Sequence, residues 1–103
     1  MEITNNVWKF PENVDFSMAH LCLSRLNSIP HDQTITIDLS GTDQVHSSFI
    51  GFLIHASQQL KQEGGDLVLS ISPTLKKIFL MLKILDYFPE ISVKVPLMNL
   101  SAN

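Results

Sequence analysis

The stretch TIDLSGTDQVHSSFIG, residues 36–51, changes its period halfway along. Its first part continues an alternation that begins at Gln33. Thr34, Thr36 and Asp38 fall on one side, and Ile35, Ile37 and Leu39 on the other, which is the period of two of a β-strand. Ser40 to Gln44 is a polar loop. Val45 then leads into Ser47 and Ser48, residue types that open helices, and a helix is expected from there to about Gln62. A strand feeding a helix through a short polar loop is the building unit of an α/β fold.

The flanking sequence repeats the unit. Gly64 and Gly65 supply the backbone freedom that a helix end and a tight return need. Leu67 to Ile71 is a nearly continuous apolar run and reads as a buried strand. Ser72 is placed to cap a third helix with Pro73 at its first position. The stripe of that helix is Leu75, Ile78, Phe79 and Leu82, while Leu80 and Met81 lie off it and are expected to pack on Ile84, Leu85 and Phe88. Ile91 to Val95 is expected as the last strand and Pro96 to Asn103 as a tail. Upstream, Ile3 and Val7 to Phe10 read as one or two short strands around an Asn5-Asn6 turn. Pro11 ends them. Asp15 or Ser17 is the expected cap of a first helix carrying Met18, Leu21, Cys22 and Leu26 at helical spacing. The order predicts a single α/β domain over residues 1–103. Its sheet is mixed and mostly parallel, of four to five strands, with three to four helices packed on it.

Composition limits the function. The chain has 103 residues, enough for one domain, and 45% of them are hydrophobic against 17% charged, the balance of a compact globule. The net charge of −3 lacks the basic excess of a nucleic-acid binder. Cys22 is the single cysteine, so no internal disulfide forms and a reducing compartment is expected. Met1 to Phe10 has no signal-peptide pattern. The longest apolar runs, Phe49 to Ile54 and Ile78 to Leu82, fall far short of the roughly 20 residues that span a bilayer. A cytoplasmic protein without membrane insertion is expected.

No catalytic or metal chemistry is legible. His20, His31, His46 and His55 form no spaced ligand set with Cys22 or an acid, so no metal and no cofactor is expected. His46 and Ser47 with Asp43 do not make a triad, because adjacent side chains rarely face one another as one requires. Gly64-Gly65 follows a helix and precedes a strand, the reverse of a phosphate-binding loop. The chain is not expected to be an enzyme. The second helix, however, is apolar on more than one side. Ile50, Leu53, Ile54 and Leu60 make one stripe, and Phe49, Phe52 and Ala56 make another. One stripe is expected against the sheet. The other, starting beside Ser47, is expected to be partly exposed to a partner.

Three segments together resemble a family. Residues 36–51 look like the STAS-domain segment that runs strand, loop, then Asp-Ser-Ser/Thr-Gly-Leu-Gly at the head of a helix. LKQEGGDLVLSISPTLKKIFLMLKILDYFPEI, residues 60–91, is similar to the family's Gly-Gly return, apolar strand, Ser-Pro cap and following helix. PENVDFSMA, residues 11–19, resembles its Gly-Glu-Leu-Asp…Ala approach to the first helix. The resemblance implies an anti-sigma factor antagonist, a bacterial partner-switching regulator of transcription. In such a system a kinase-type anti-sigma factor phosphorylates a serine at the helix head, and a phosphatase restores it. The unmodified form binds the kinase and the phosphorylated form lets go.

By register that serine is Ser47, with Ser48 as the alternative acceptor or as the capping hydroxyl. Partner contact is expected from His46, Ser47, Ser48, Phe49 and Phe52, with Asp15 nearby. Three positions depart from the family's pattern. His46 replaces its acid, Phe49 replaces its glycine after the serine pair, and Lys83 stands where it usually has glycine. The first two departures favour a second reading, a constitutive STAS-type scaffold or accessory subunit, for instance of a transporter ATPase or a signalling assembly.

Overall fold

The computed structural model describes residues 1–94. The expected tail at 96–103, and Val95 of the expected last strand, lie outside the described residues. Strand β1 (Glu2–Thr4) turns through Asn5, whose φ of 55° is left-handed. It then pairs antiparallel with β2 (Val7–Lys9). A two-residue strand β3 (Asn13–Val14) precedes helix α1 (Phe16–Asn27). Strand β4 (Thr34–Leu39), a second two-residue strand β5 (Gln44–Val45) and helix α2 (Ser47–Gln62) follow. Strand β6 (Asp66–Ile71), helix α3 (Pro73–Met81), a 3-10 turn over Leu85–Tyr87 and β7 (Ile91–Val93) complete the order.

The main sheet runs β1-β2-β4-β6-β7 and is parallel except at β1. Its register explains the core. Ile3 lies opposite Trp8, Trp8 opposite Ile37, Ile37 opposite Leu69 and Leu69 opposite Ile91. One apolar row thus crosses all five strands, and a slip of one residue would turn it to the other face. Ile35 with Leu67 and Leu39 with Ile71 make the neighbouring rows. Phe49, Leu53, Ala56 and Leu60 of α2 and Leu75 and Phe79 of α3 are buried in the same core. Cys22 is buried there too, and desolvation pushes its thiol up to about 12, so it stays protonated at neutral pH.

Helix ends depart from expectation where the sequence spacing was misleading. Leu82 continues the stripe of α3 in sequence, but the helix has already ended at Met81 and Leu82 is exposed. Lys83 then adopts a φ of 57°. Glycine takes that conformation freely, whereas a lysine holds it under backbone strain. Met81 and Leu21 of α1 face solvent, and Leu80 is half-exposed where it borders a groove with Leu85 and Asp86 of the 3-10 turn.

The far ends of α1 and α2 are tied by His31. Its Nε2 donates to the Leu26 carbonyl at 2.7 Å and its Nδ1 to the Glu63 carboxylate at 2.6 Å. Both partners are acceptors, so the arrangement is complete only with a doubly protonated ring. The Glu63 bond, then the Leu26 carbonyl, raise His31 above 6.5, and the His31 bond holds Glu63 below 4.5. A raised histidine stabilises fully below its unfolded value and loses this as pH rises through the folded one. A lowered carboxylate stabilises above its unfolded value and loses this as pH falls. The stability difference between wild type and Glu63→Gln is therefore expected to peak between pH 4.5 and 6.5 and to shrink toward pH 8. Urea denaturation across that range measures it, and a difference that does not change with pH contradicts the paired ring.

Candidate functional site

The site is assembled by the two shortest strands. β3 and β5 pair in parallel, Asn13 with Gln44 and Val14 with Val45. Each runs directly into a helix, so the N-termini of α1 and α2 emerge side by side. The loop feeding β5 is fixed by buried hydroxyls. Ser72 Oγ donates to the Thr42 carbonyl at 2.7 Å, and Thr42 Oγ1 donates to the Pro11 carbonyl at 2.7 Å. The Asp43 and Gln44 amides both donate to the Glu12 carbonyl, at 2.9 and 3.2 Å. The His46 amide closes the set on the Val14 carbonyl at 2.8 Å. Neither two-residue strand has a period to read, and the sequence showed only Val45 leading into the serines.

At the head of α1, Asp15 is the N-cap. Its Oδ1 accepts from the Ser17 hydroxyl at 2.6 Å and the Ser17 amide at 3.1 Å. The Ser17 hydroxyl chiefly, with backbone amides and the nearby His46 adding, holds Asp15 below the usual carboxylate range. At the head of α2 the cap is His46, not a serine. Its Nδ1 accepts the Ser48 amide at 3.1 Å and lies 2.8 Å from Ser48 Oγ, whose hydroxyl donates to it. The edge-to-face ring of Phe16, centroids 6.0 Å apart, props the imidazole from α1. The histidine in the acid's place thus does what an aspartate does at a helix start: it supplies an acceptor to an unpaired amide.

Ser47 occupies the first position of α2 and is exposed. Its hydroxyl has no hydrogen-bond partner among the described residues, whereas that of Ser48 is engaged. The expectation of a capping hydroxyl on either serine is therefore corrected: Ser48 donates to the cap, and Ser47 is left to solvent.

The expectation of an exposed phenylalanine face is overturned. Phe49 is 0% exposed and Phe52 is 6% exposed. Phe49 stacks its edge on Phe10, centroids 5.0 Å apart, and lies 5.6 Å from Phe52. The β3–β5 pairing draws the first turn of α2 over Phe10, which closes the space the sequence left open. The two apolar stripes of α2 merge into one buried face, with Ile50 and Ile54 half-buried at its margin.

The exposed aromatic of the site is instead Phe16, at 68%, which the sequence reading passed over. It heads an open groove of about 430 Å³ between α1 and α2. His20 and Leu23 line one wall, and Ser48, Gly51 and His55 the other, with Phe52 at its floor reaching the surface only by an edge.

The STAS domain model matches residues 1–97. The chain belongs to the STAS domain family. No curated protein matches it. As a STAS domain it is of a kind that commonly mediates contacts between proteins, as an antagonist-like regulator or as a scaffold. Among the described residues, no helix is long and apolar enough to cross a membrane. No three histidines, cysteines or acids gather there as a metal site would need.

Proposed function

We propose that this STAS domain is a partner-switching regulator of the anti-sigma factor antagonist type, with Ser47 as its phosphorylated residue. One observation carries the reading: at the junction of two helix heads, the exposed Ser47 hydroxyl has no partner among the described residues, while its neighbour's is held by His46. A kinase needs a hydroxyl that it can reach without breaking a cap. On this reading the chain is the kinase's substrate and not an enzyme. The unmodified face binds a kinase-type anti-sigma factor. A phosphate, adding about −1.5 to −2 charges, expels it by repulsion and desolvation.

The test is incubation with the anti-sigma kinase encoded nearest to this chain, with ATP, followed by intact mass and peptide mapping. One phosphate is expected, lost in Ser47→Ala and kept in Ser48→Ala. Ser47→Asp is expected to weaken the complex roughly a hundredfold, the effect of an unpaired charge buried in an interface. The second reading, a constitutive scaffold, is favoured by the exposed Phe16 beside an apolar groove. It predicts a complex indifferent to Ser47→Asp, and that result would replace the first reading with the second.

A further inference from the structure

We infer that a phosphate on Ser47 unlatches the cap of α2 through His46. The inference rests on the switch reading of this same site and gives its structural output.

An aspartate at a helix start is an acceptor throughout the neutral range. Histidine is not. Neutral, it offers one nitrogen as acceptor; protonated, it has two donors and none to accept with. Both bonds to Ser48 end on Nδ1, so the cap exists only while His46 is neutral. The Asp15 carboxylate lies near the ring from α1, and the ring stands at the electropositive head of α2. The His46 amide is held on the Val14 carbonyl of β3, and Phe16 covers a ring edge. The imidazoles of His20 and His55 line the groove beyond.

A phosphate dianion on the adjacent residue places about −1.5 to −2 charges beside the ring. The ring takes a proton from solvent and pairs with the phosphate in a charge-assisted bond. Nδ1 stops accepting, so the Ser48 amide is released, and the Ser48 hydroxyl can stay on the ring only as an acceptor. Ser48 lines the groove that Phe16 heads, so the modification alters that rim as well as the charge beside it.

The experiment uses the full chain in two forms, unmodified and with phosphoserine genetically encoded at position 47, so no kinase is needed. Nitrogen-15 NMR of the His46 ring and the Ser48 amide is recorded from about pH 5 to 8. In the unmodified form at neutral pH, Nδ1 is expected bare and the Ser48 amide hydrogen-bonded. In the phosphorylated form, Nδ1 is expected to carry a proton and the Ser48 amide to exchange about fivefold faster, the size of a lost N-cap. His46→Asp is expected to keep the Ser48 amide bonded in both forms. Two results overturn the relay: an Nδ1 that stays bare beside the phosphate, or a His46→Asp chain that loses the Ser48 bond just as the wild type does. Failure of the kinase assay with success here would sink the assigned physiology while leaving the relay standing.

Discussion

Phe49→Ala is expected to lower the folding stability of the domain by about 3–5 kcal/mol, the cost of deleting a fully buried aromatic ring. The ring is 0% exposed and sits between Phe10 and Phe52. The loss removes both transfer energy and packing on two aromatic neighbours, and the helix start cannot collapse inward because the β3–β5 pairing and the His46–Val14 bond hold it. A small domain has about 5–15 kcal/mol in total, so the substitution takes a fifth of it or more. Urea denaturation gives the difference directly. Phe16→Ala is the contrast, since a side chain 68% exposed leaves the midpoint within about 0.5 kcal/mol. Should Phe49→Ala prove as mild as Phe16→Ala, the buried placement of Phe49 is wrong, and the ring belongs to the partner face after all.

That contrast marks what the sequence could convey. Strands with a clear period were legible: the alternation of Thr34 to Leu39 and the apolar run into Ile71 became β4 and β6. So were two helix starts, Ser72-Pro73 before α3 and, as one of the two caps expected with Ser17, Asp15 before α1. Ser47 was found at the head of α2 as expected. Burial in the first turn of α2 was not legible, because it depends on tertiary neighbours. A two-residue strand has no periodicity, and nothing local announces that Val14 and Val45 pair. With that pairing unseen, Phe49 read as uncovered and Phe16 passed without notice. His46 read as a lost acid, because the sequence shows a residue type and not the direction of its lone pair.

The two adjacent glycines test the same distinction between local and tertiary constraint. Gly64 has a φ of +89° and open space where a Cβ would stand. Gly64→Ala is therefore expected to cost only the strain of a left-handed backbone, about 1–2 kcal/mol. Gly65 needs no positive φ, yet a Cβ there would press into the carbonyl oxygens of His31 and Gln33 and stand 3.1 Å from the Gln33 amide nitrogen. Those atoms are backbone and cannot rotate away. The Gln33 carbonyl also accepts the Asp66 amide at 3.2 Å, and the Gly65 amide donates to the Leu60 carbonyl at 2.7 Å. Relief must therefore push the start of β4 away from the turn into β6. Gly65→Ala is expected to cost about 3 kcal/mol, at the upper end for overpacking a tight site. It is also expected to disturb the pairing of His31 with Glu63, since His31 is on the strand side of that contact and Glu63 on the helix side. Denaturation of both variants between pH 4.5 and 6.5 and again near pH 8 separates the causes. Gly64→Ala should keep the wild-type pH dependence, and Gly65→Ala should lose most of it. Equal costs for the two, with the pH dependence intact in both, would mean that backbone freedom alone explains the pair and that the close approach at Gly65 carries no energy.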